Sequence, residues 1–116
     1  MIKKTILLTG AGGMVGQNLL EHQDISSYDI LTPRSSELDL RDFEEVKKYF
    51  KKYKPEMIIH AAAKVGGIQI NIQEPLQYFV DNLDMGRNII IAAHKLGIKK
   101  LINLGSSCMY PANFSR

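Results

Sequence analysis

Eight consecutive residues constrain this chain more than any others: Thr9-Gly10-Ala11-Gly12-Gly13-Met14-Val15-Gly16. They follow Thr5-Ile-Leu-Leu-Thr9, an apolar run that reads as a buried strand. They open a helical pattern from about Gly13 to Glu21, with Val15, Leu19 and Leu20 as its expected inward face. Between a strand and a helix, glycines at this spacing have separate tasks. Gly10 lets the chain turn sharply out of the strand, Gly13 lets backbone approach a pyrophosphate, and Gly16 lets the helix pack closely. The first N–H groups of the helix, around Met14 and Val15, then bind the phosphates.

The rest of the chain repeats the alternation. Tyr28-Asp-Ile-Leu31, Met57-Ile-Ile-His60 and Leu101-Ile-Asn-Leu104 read as further buried strands. A second helix is expected from Asp42, an N-cap with Glu45 three residues on, its stripe Phe43, Val46, Phe50 and Tyr53 facing inward. A third opens at Pro75 and stops at Gly97, with Leu76, Phe79, Leu83, Ile90 and Ala93 as its apolar stripe. Four strands alternating with three helices require right-handed crossovers and a parallel sheet covered on both faces. The expected fold is α/β, an open, doubly wound, Rossmann-type sheet.

Composition agrees with one globular unit. In 116 residues, 45% are apolar and 23% charged, which excludes disorder. No linker or repeat divides residues 1–116. The net charge of +3 is too small to argue for nucleic acid or a membrane, and neither is expected as a partner. Lysines 47, 48, 51, 52 and 54 read as the solvated face of the second helix. A single cysteine, Cys108, excludes a disulfide framework and any multi-cysteine metal site. His22, His60 and His94 lack ligand spacing and read as structural, so no metal is expected. The apolar run after Met1 is too short for a signal peptide, so a cytoplasmic location is expected.

The end of the second strand, Thr32-Pro33-Arg34, is where the adenosine ribose of a dinucleotide would lie. No acid occupies positions 30–34, and Arg34 suits a 2′-phosphate, which favours NADP(H) over NAD. Asp39 and Leu40 are candidates for the adenine, a carboxylate beside its amino group and an aliphatic chain against its ring.

The T-G-x-x-G-x-x-G turn resembles that of extended short-chain dehydrogenases/reductases. Two further segments, Ala61-Ala62-Ala63-Lys64-Val65-Gly66-Gly67 and Gly105-Ser106-Ser107-Cys108-Met109-Tyr110-Pro111, are more specific. Together they resemble the GDP-L-fucose synthase family, over nearly the whole chain from Thr5 to Pro111. The resemblance implies an NADPH-dependent 3,5-epimerase/4-reductase acting on a GDP-4-keto-6-deoxy sugar, with colitose-type and deoxyheptose-type enzymes as close alternatives. A non-catalytic dinucleotide-binding module is the alternative from another class.

By the same resemblance, Ser106 is the catalytic serine that hydrogen-bonds the 4-keto oxygen, and Cys108 is the base for epimerisation beside it. Ala61, Ala62 and Ala63 lie along the cofactor, Lys64, Val65, Gly66 and Gly67 face the substrate, and Asn82 supports the site. The Tyr-x-x-x-Lys pair of that family is not found within the 116 residues. Residues 1–116 are therefore expected to be the amino-terminal part of an NAD(P)-binding Rossmann domain, without the substrate domain and inactive alone. The full-length protein is expected to be a homodimer. The fourth strand is expected beside the first, with its other edge left open and prone to self-association.

Overall fold

In the computed structural model, residues 3–63 and 75–104 are described. Strand β1 (Lys4–Thr9) leads through the glycine turn into helix α1 (Met14–Glu21), a short 3-10 turn (Gln23–Ser27) and strand β2 (Tyr28–Leu31). Helix α2 (Phe43–Tyr53), strand β3 (Met57–His60), helix α3 (Pro75–Lys95) and strand β4 (Lys100–Asn103) follow. The strands form one sheet in the order β2-β1-β3-β4, and every pairing is parallel.

The fourth strand does not lie beside the first, contrary to expectation. Strand β3 takes that place, with Leu7 opposite Ile58, and β4 pairs with β3, with Ile58 opposite Leu101. The reason is the direction of winding. The crossover through α1 sets β2 on one side of β1, and the crossover through α2 returns the chain to the other. Strand β1 is thus the point at which the order reverses, and the crevice outside its carboxyl end is where doubly wound sheets bind ligands.

Alternation along the strands divides the interior in two. Leu7 and Ile58 join Val46 and Phe50 of α2 and Ile89, Ala92 and Ala93 of α3 in one core. Ile6, Leu8 and Ile59 face the other way, with Leu19 and Leu20 of α1 against them. Helices therefore cover both faces, as a near-continuous apolar parallel strand requires.

The helix boundaries follow their signals. The Asp42 carboxylate accepts from Glu44 N and Glu45 N at 3.0 and 3.3 Å, capping α2. Gly97 has φ +73°, and the N–H groups of Gly97 and Ile98 donate to His94 O and Ala93 O, closing α3 in a Schellman turn.

Which faces are buried differs from the expectation in three places. Val15 points outward, leaving Gly16 as the buried residue of α1. Tyr53 is exposed, and Tyr49 beside it is half-buried against the core. On α3, Leu76, Phe79, Leu83 and Ile90 are all exposed, and only Ala93 of the expected stripe is buried. The face that packs carries Asp81, Asn88, Ile89 and Ala92. Helix α3 has two apolar faces, and periodicity alone does not tell which one meets the core.

Candidate functional site

The crevice at the end of β1 is a cleft of about 860 Å3. Its walls come from the glycine turn, from Thr32-Pro33-Arg34 after β2, from residues 35, 36 and 38–41, from Ala62 and Ala63 after β3, and from Met85 of α3. Of the residues expected at a cofactor, Gly10, Arg34, Asp39, Leu40, Ala62 and Ala63 meet here. Ala61 instead lines a second cleft, of about 590 Å3, with His60, Asn82 and Asn103. Ala62 and Ala63 belong to both walls.

The glycines of the turn serve two different needs. Gly10 has φ +74°, and a Cβ on it would lie 2.6 Å from Ala62 N, so it is required both by conformation and by the approach of β3. A Cβ on Gly16 would lie 2.6 Å from the Cα of Ala11. Gly16 therefore packs on the turn itself rather than on the sheet. Gly13, the N-cap of α1, is different, since a Cβ there would meet only Gly10 O, at an ordinary 3.5 Å. At Gly12 nothing lies within 4 Å. Neither the backbone conformation nor a neighbouring atom requires glycine at either position.

No side chain caps α1, and its first i to i−4 bond runs from Gln17 N to Gly13 O at 2.9 Å. The N–H groups of Met14, Val15 and Gly16 precede that bond, at the positive end of the helix. This cradle of small residues and helix N–H groups fits the pyrophosphate of a dinucleotide.

At the other end of the cleft stand Arg34, Asp39 and Arg41. Arg34 is exposed, and among the described residues its guanidinium makes no ion pair. Arg41 forks onto Asp39, Nε to Oδ1 and Nη2 to Oδ2, both at 3.1 Å. Those hydrogen bonds and the Asp39 charge, with Asp81 behind them, hold the Arg41 guanidinium above its ordinary pKa.

Thr9 was missed as a site residue. Its Oγ1 accepts from Ala61 N and Ala62 N, both at 3.1 Å, and lies 2.6 Å from His60 Nδ1. The pattern fixes the start of the wall shared by the two clefts. Burial holds the His60 pKa below its ordinary value, so the imidazole is neutral, in keeping with its expected structural role. Asn88, also missed, is buried and donates through Nδ2 to Leu40 O at 2.9 Å, tying α3 to the end of the cleft that carries Asp39 and Arg41. Only the fully polar side chain within an apolar stretch marks it in the sequence. Ser106, Cys108, Lys64, Val65, Gly66 and Gly67 lie outside the described residues. Among the described residues no cluster of His, Cys, Asp or Glu could hold a metal ion.

The sequence pattern of the NAD dependent epimerase/dehydratase family matches residues 6–115. The chain belongs to this family. It is 54% identical over 106 residues to the GDP-L-colitose synthase of Yersinia pseudotuberculosis, covering 91% of this chain and 34% of that one. With the GDP-L-fucose synthase of Azorhizobium caulinodans it shares 43% over 109 residues, or 94% of this chain and 35% of the relative. A solved GDP-D-glycero-L-gluco-heptose synthase from Campylobacter jejuni, crystallised in the presence of NADPH, superposes with a TM-score of 0.89 at 29% identity. The superposition covers 97% of this chain and 33% of that one. The chain thus spans about a third of the length of the curated relatives it matches.

Proposed function

We propose that this chain is the amino-terminal part of the cofactor-binding domain of an NADPH-dependent epimerase/reductase of GDP-4-keto-6-deoxy sugars, of the GDP-L-fucose synthase type. The observation that carries the reading is the opening of the glycine turn. Gly12, where a Cβ would meet nothing within 4 Å, lines a cleft in which the Arg34 guanidinium makes no ion pair among the described residues, and Gly13 beside it has only Gly10 O nearby, at 3.5 Å.

When bound, the nicotinamide supplies the hydride for the reduction. Gly10 and Gly13 give the pyrophosphate room, and the N–H groups of Met14, Val15 and Gly16 neutralise part of its charge. Arg34 binds the 2′-phosphate, Asp39 and Leu40 flank the adenine, and Ala61, Ala62 and Ala63 leave space along the carboxyl ends of the strands. On the substrate, the Ser106 hydroxyl hydrogen-bonds the 4-keto oxygen and stabilises the charge that develops there. The Cys108 thiolate takes the proton from the carbon beside the ketone, which the keto group acidifies. Lys64, Val65, Gly66 and Gly67 contact the GDP-sugar.

A second reading, a colitose-type synthase, is favoured by the higher identity to the Yersinia enzyme. The exposed apolar face of α3 supports a homodimer for the whole protein. We place the reaction in the cytoplasm. Among the described residues no helix is long and apolar enough to cross a membrane.

The test is turnover by the whole protein, with NADPH, of GDP-4-keto-6-deoxymannose and of a GDP-4-keto sugar of the colitose series. Cys108→Ser should abolish solvent-deuterium exchange beside the ketone while NADPH still binds. Ser106→Ala should slow reduction by about a hundred- to ten-thousandfold. Failure to reduce either sugar, or undiminished exchange in the Cys108 variant, would overturn the assignment.

A further inference from the structure

The charged side chains that line the larger cleft are two guanidinium groups and one carboxylate, and their surroundings differ. Asp39 is grasped by Arg41 three times. Nε donates to Oδ1 and Nη2 to Oδ2 at 3.1 Å, and the backbone N–H of Arg41 donates to Oδ1 at 3.0 Å. Asp81, on α3, lies 3.8 Å from Nη1 of the same arginine. The Arg34 guanidinium has no such partner among the described residues; its backbone N–H donates to Glu37 Oε1 at 3.0 Å and its carbonyl accepts from Glu37 N and Leu38 N.

The Asp39 and Arg41 side chains are 37% and 46% exposed, and ion pairs this open to water add little to folding. What the pair changes is the charge that a ligand meets. With Arg41 in place, the Asp39 carboxylate is neutralised and Arg34 is left to face an anion. Released from Arg41, the carboxylate would bring an uncompensated negative charge into the cleft it shares with Arg34 and weaken the hold on a phosphate there.

We propose that Arg41 is a specificity-determining residue of the dinucleotide site, setting the preference for a 2′-phosphate indirectly by neutralising Asp39. The inference rests on the reading of this cleft as an NADP site, and its test separates the two. Adenosine 2′,5′-bisphosphate and AMP are titrated calorimetrically into the whole protein. The variants are Arg34→Ala, Arg41→Ala, Arg41→Lys, and Arg41→Ala combined with Asp39→Asn. Wild type should prefer the bisphosphate, and Arg34→Ala should lose that preference. Arg41→Ala should lower the affinity ratio roughly tenfold, the size of one partly screened charge interaction. Arg41→Lys should keep the ratio, because it keeps the charge.

Adding Asp39→Asn to Arg41→Ala should restore the ratio, which neutralising Asp39 would not do if Arg41 were merely structural. A wild type that binds both ligands equally, or neither, overturns the site reading and this inference with it. A preference that depends on Arg34 but is unmoved by Arg41→Ala overturns the role of Arg41 alone, as does a fall that Asp39→Asn leaves in place.

Discussion

The hydroxyl of Thr9 lies 2.6 Å from Nδ1 of His60, across the pairing of β1 and β3. Its oxygen already accepts the N–H groups of Ala61 and Ala62, so its proton is the one that fills the contact. Nδ1 is therefore an acceptor, and the neutral imidazole carries its hydrogen on Nε2. Protonating His60 would force two donors to face each other inside the fold.

This makes stability depend on pH in a stated direction. The folded pKa of His60 is held down by burial, while the unfolded chain titrates near the ordinary value of about 6.5. Above that value both states are neutral and the contribution is fully present. As pH falls below it, the unfolded chain takes a proton that the fold refuses, and stability is lost down to the folded pKa. His60→Asn keeps an acceptor near the Nδ1 position and does not titrate. Its Tm should fall less than that of wild type between pH 7.5 and 5, and parallel curves would remove His60 as the proton-linked group.

Thr9 should be sensitive to the loss of its hydroxyl and tolerant of the loss of its methyl. Thr9→Val leaves Ala62 N and His60 Nδ1 without this partner in a buried site, at about 2 to 4 kcal/mol. Thr9→Ser keeps every bond and gives up one buried methyl, about 1 kcal/mol. Urea denaturation of the two variants checks the order. Equal losses would mean that packing, not the hydrogen bonds, is what Thr9 contributes.

Gly13 and Gly16 should separate binding from folding. At Gly16 an alanine methyl would press on the Ala11 backbone at 2.6 Å, an overpacking cost of about 1 to 3 kcal/mol. At Gly13 the nearest atom is at 3.5 Å and φ is −82°, so the chain accepts alanine with only a weakened N-cap, below about 1 kcal/mol. Gly13→Ala should nevertheless weaken NADPH binding at least about tenfold, since the methyl occupies the approach of the pyrophosphate. Melting curves and NADPH titration of both variants provide the measurement. Unchanged affinity in Gly13→Ala would place the phosphates elsewhere.

Much of this was legible because strand, glycine turn and helix are local features. The elements, the cap at Asp42 and the stop at Gly97 each depend on residues within a few positions of one another. What was not legible depends on distant partners. The neighbour of β4 is decided by the side of β1 to which α2 returns the chain, and the strand's own residues do not encode that choice. Helix α3 offered Leu76, Phe79, Leu83 and Ile90 at helical spacing, yet the face with Asn88 and Ala92 won. Its Ala92 and Ala93 join Val46 and Phe50 of α2 in the core, and Asn88 finds Leu40 O 48 positions away. Arg34 was readable from the end of β2, whereas the fork of Arg41 on Asp39 needed the folded loop.

The losing face of α3 carries the last prediction. Leu76, Phe79, Leu83 and Ile90 are 72%, 64%, 54% and 51% exposed on one helix, and Ile102 and Leu104 add exposed apolar surface at β4. Among the described residues β4 pairs only with β3, so its other edge offers unpaired N–H and C=O groups. Contiguous apolar surface of this kind drives association, and the 116-residue chain should form dimers or larger species as its concentration rises. Phe79→Lys with Leu83→Glu places opposite charges one helical turn apart on the exposed face without disturbing the buried one. The double variant should shift the chain toward monomer and leave its folding stability, extrapolated to low concentration, within about 1 kcal/mol of wild type. Sedimentation velocity across a concentration series reads the outcome. A wild-type chain that is monomeric throughout would show that this face does not self-associate.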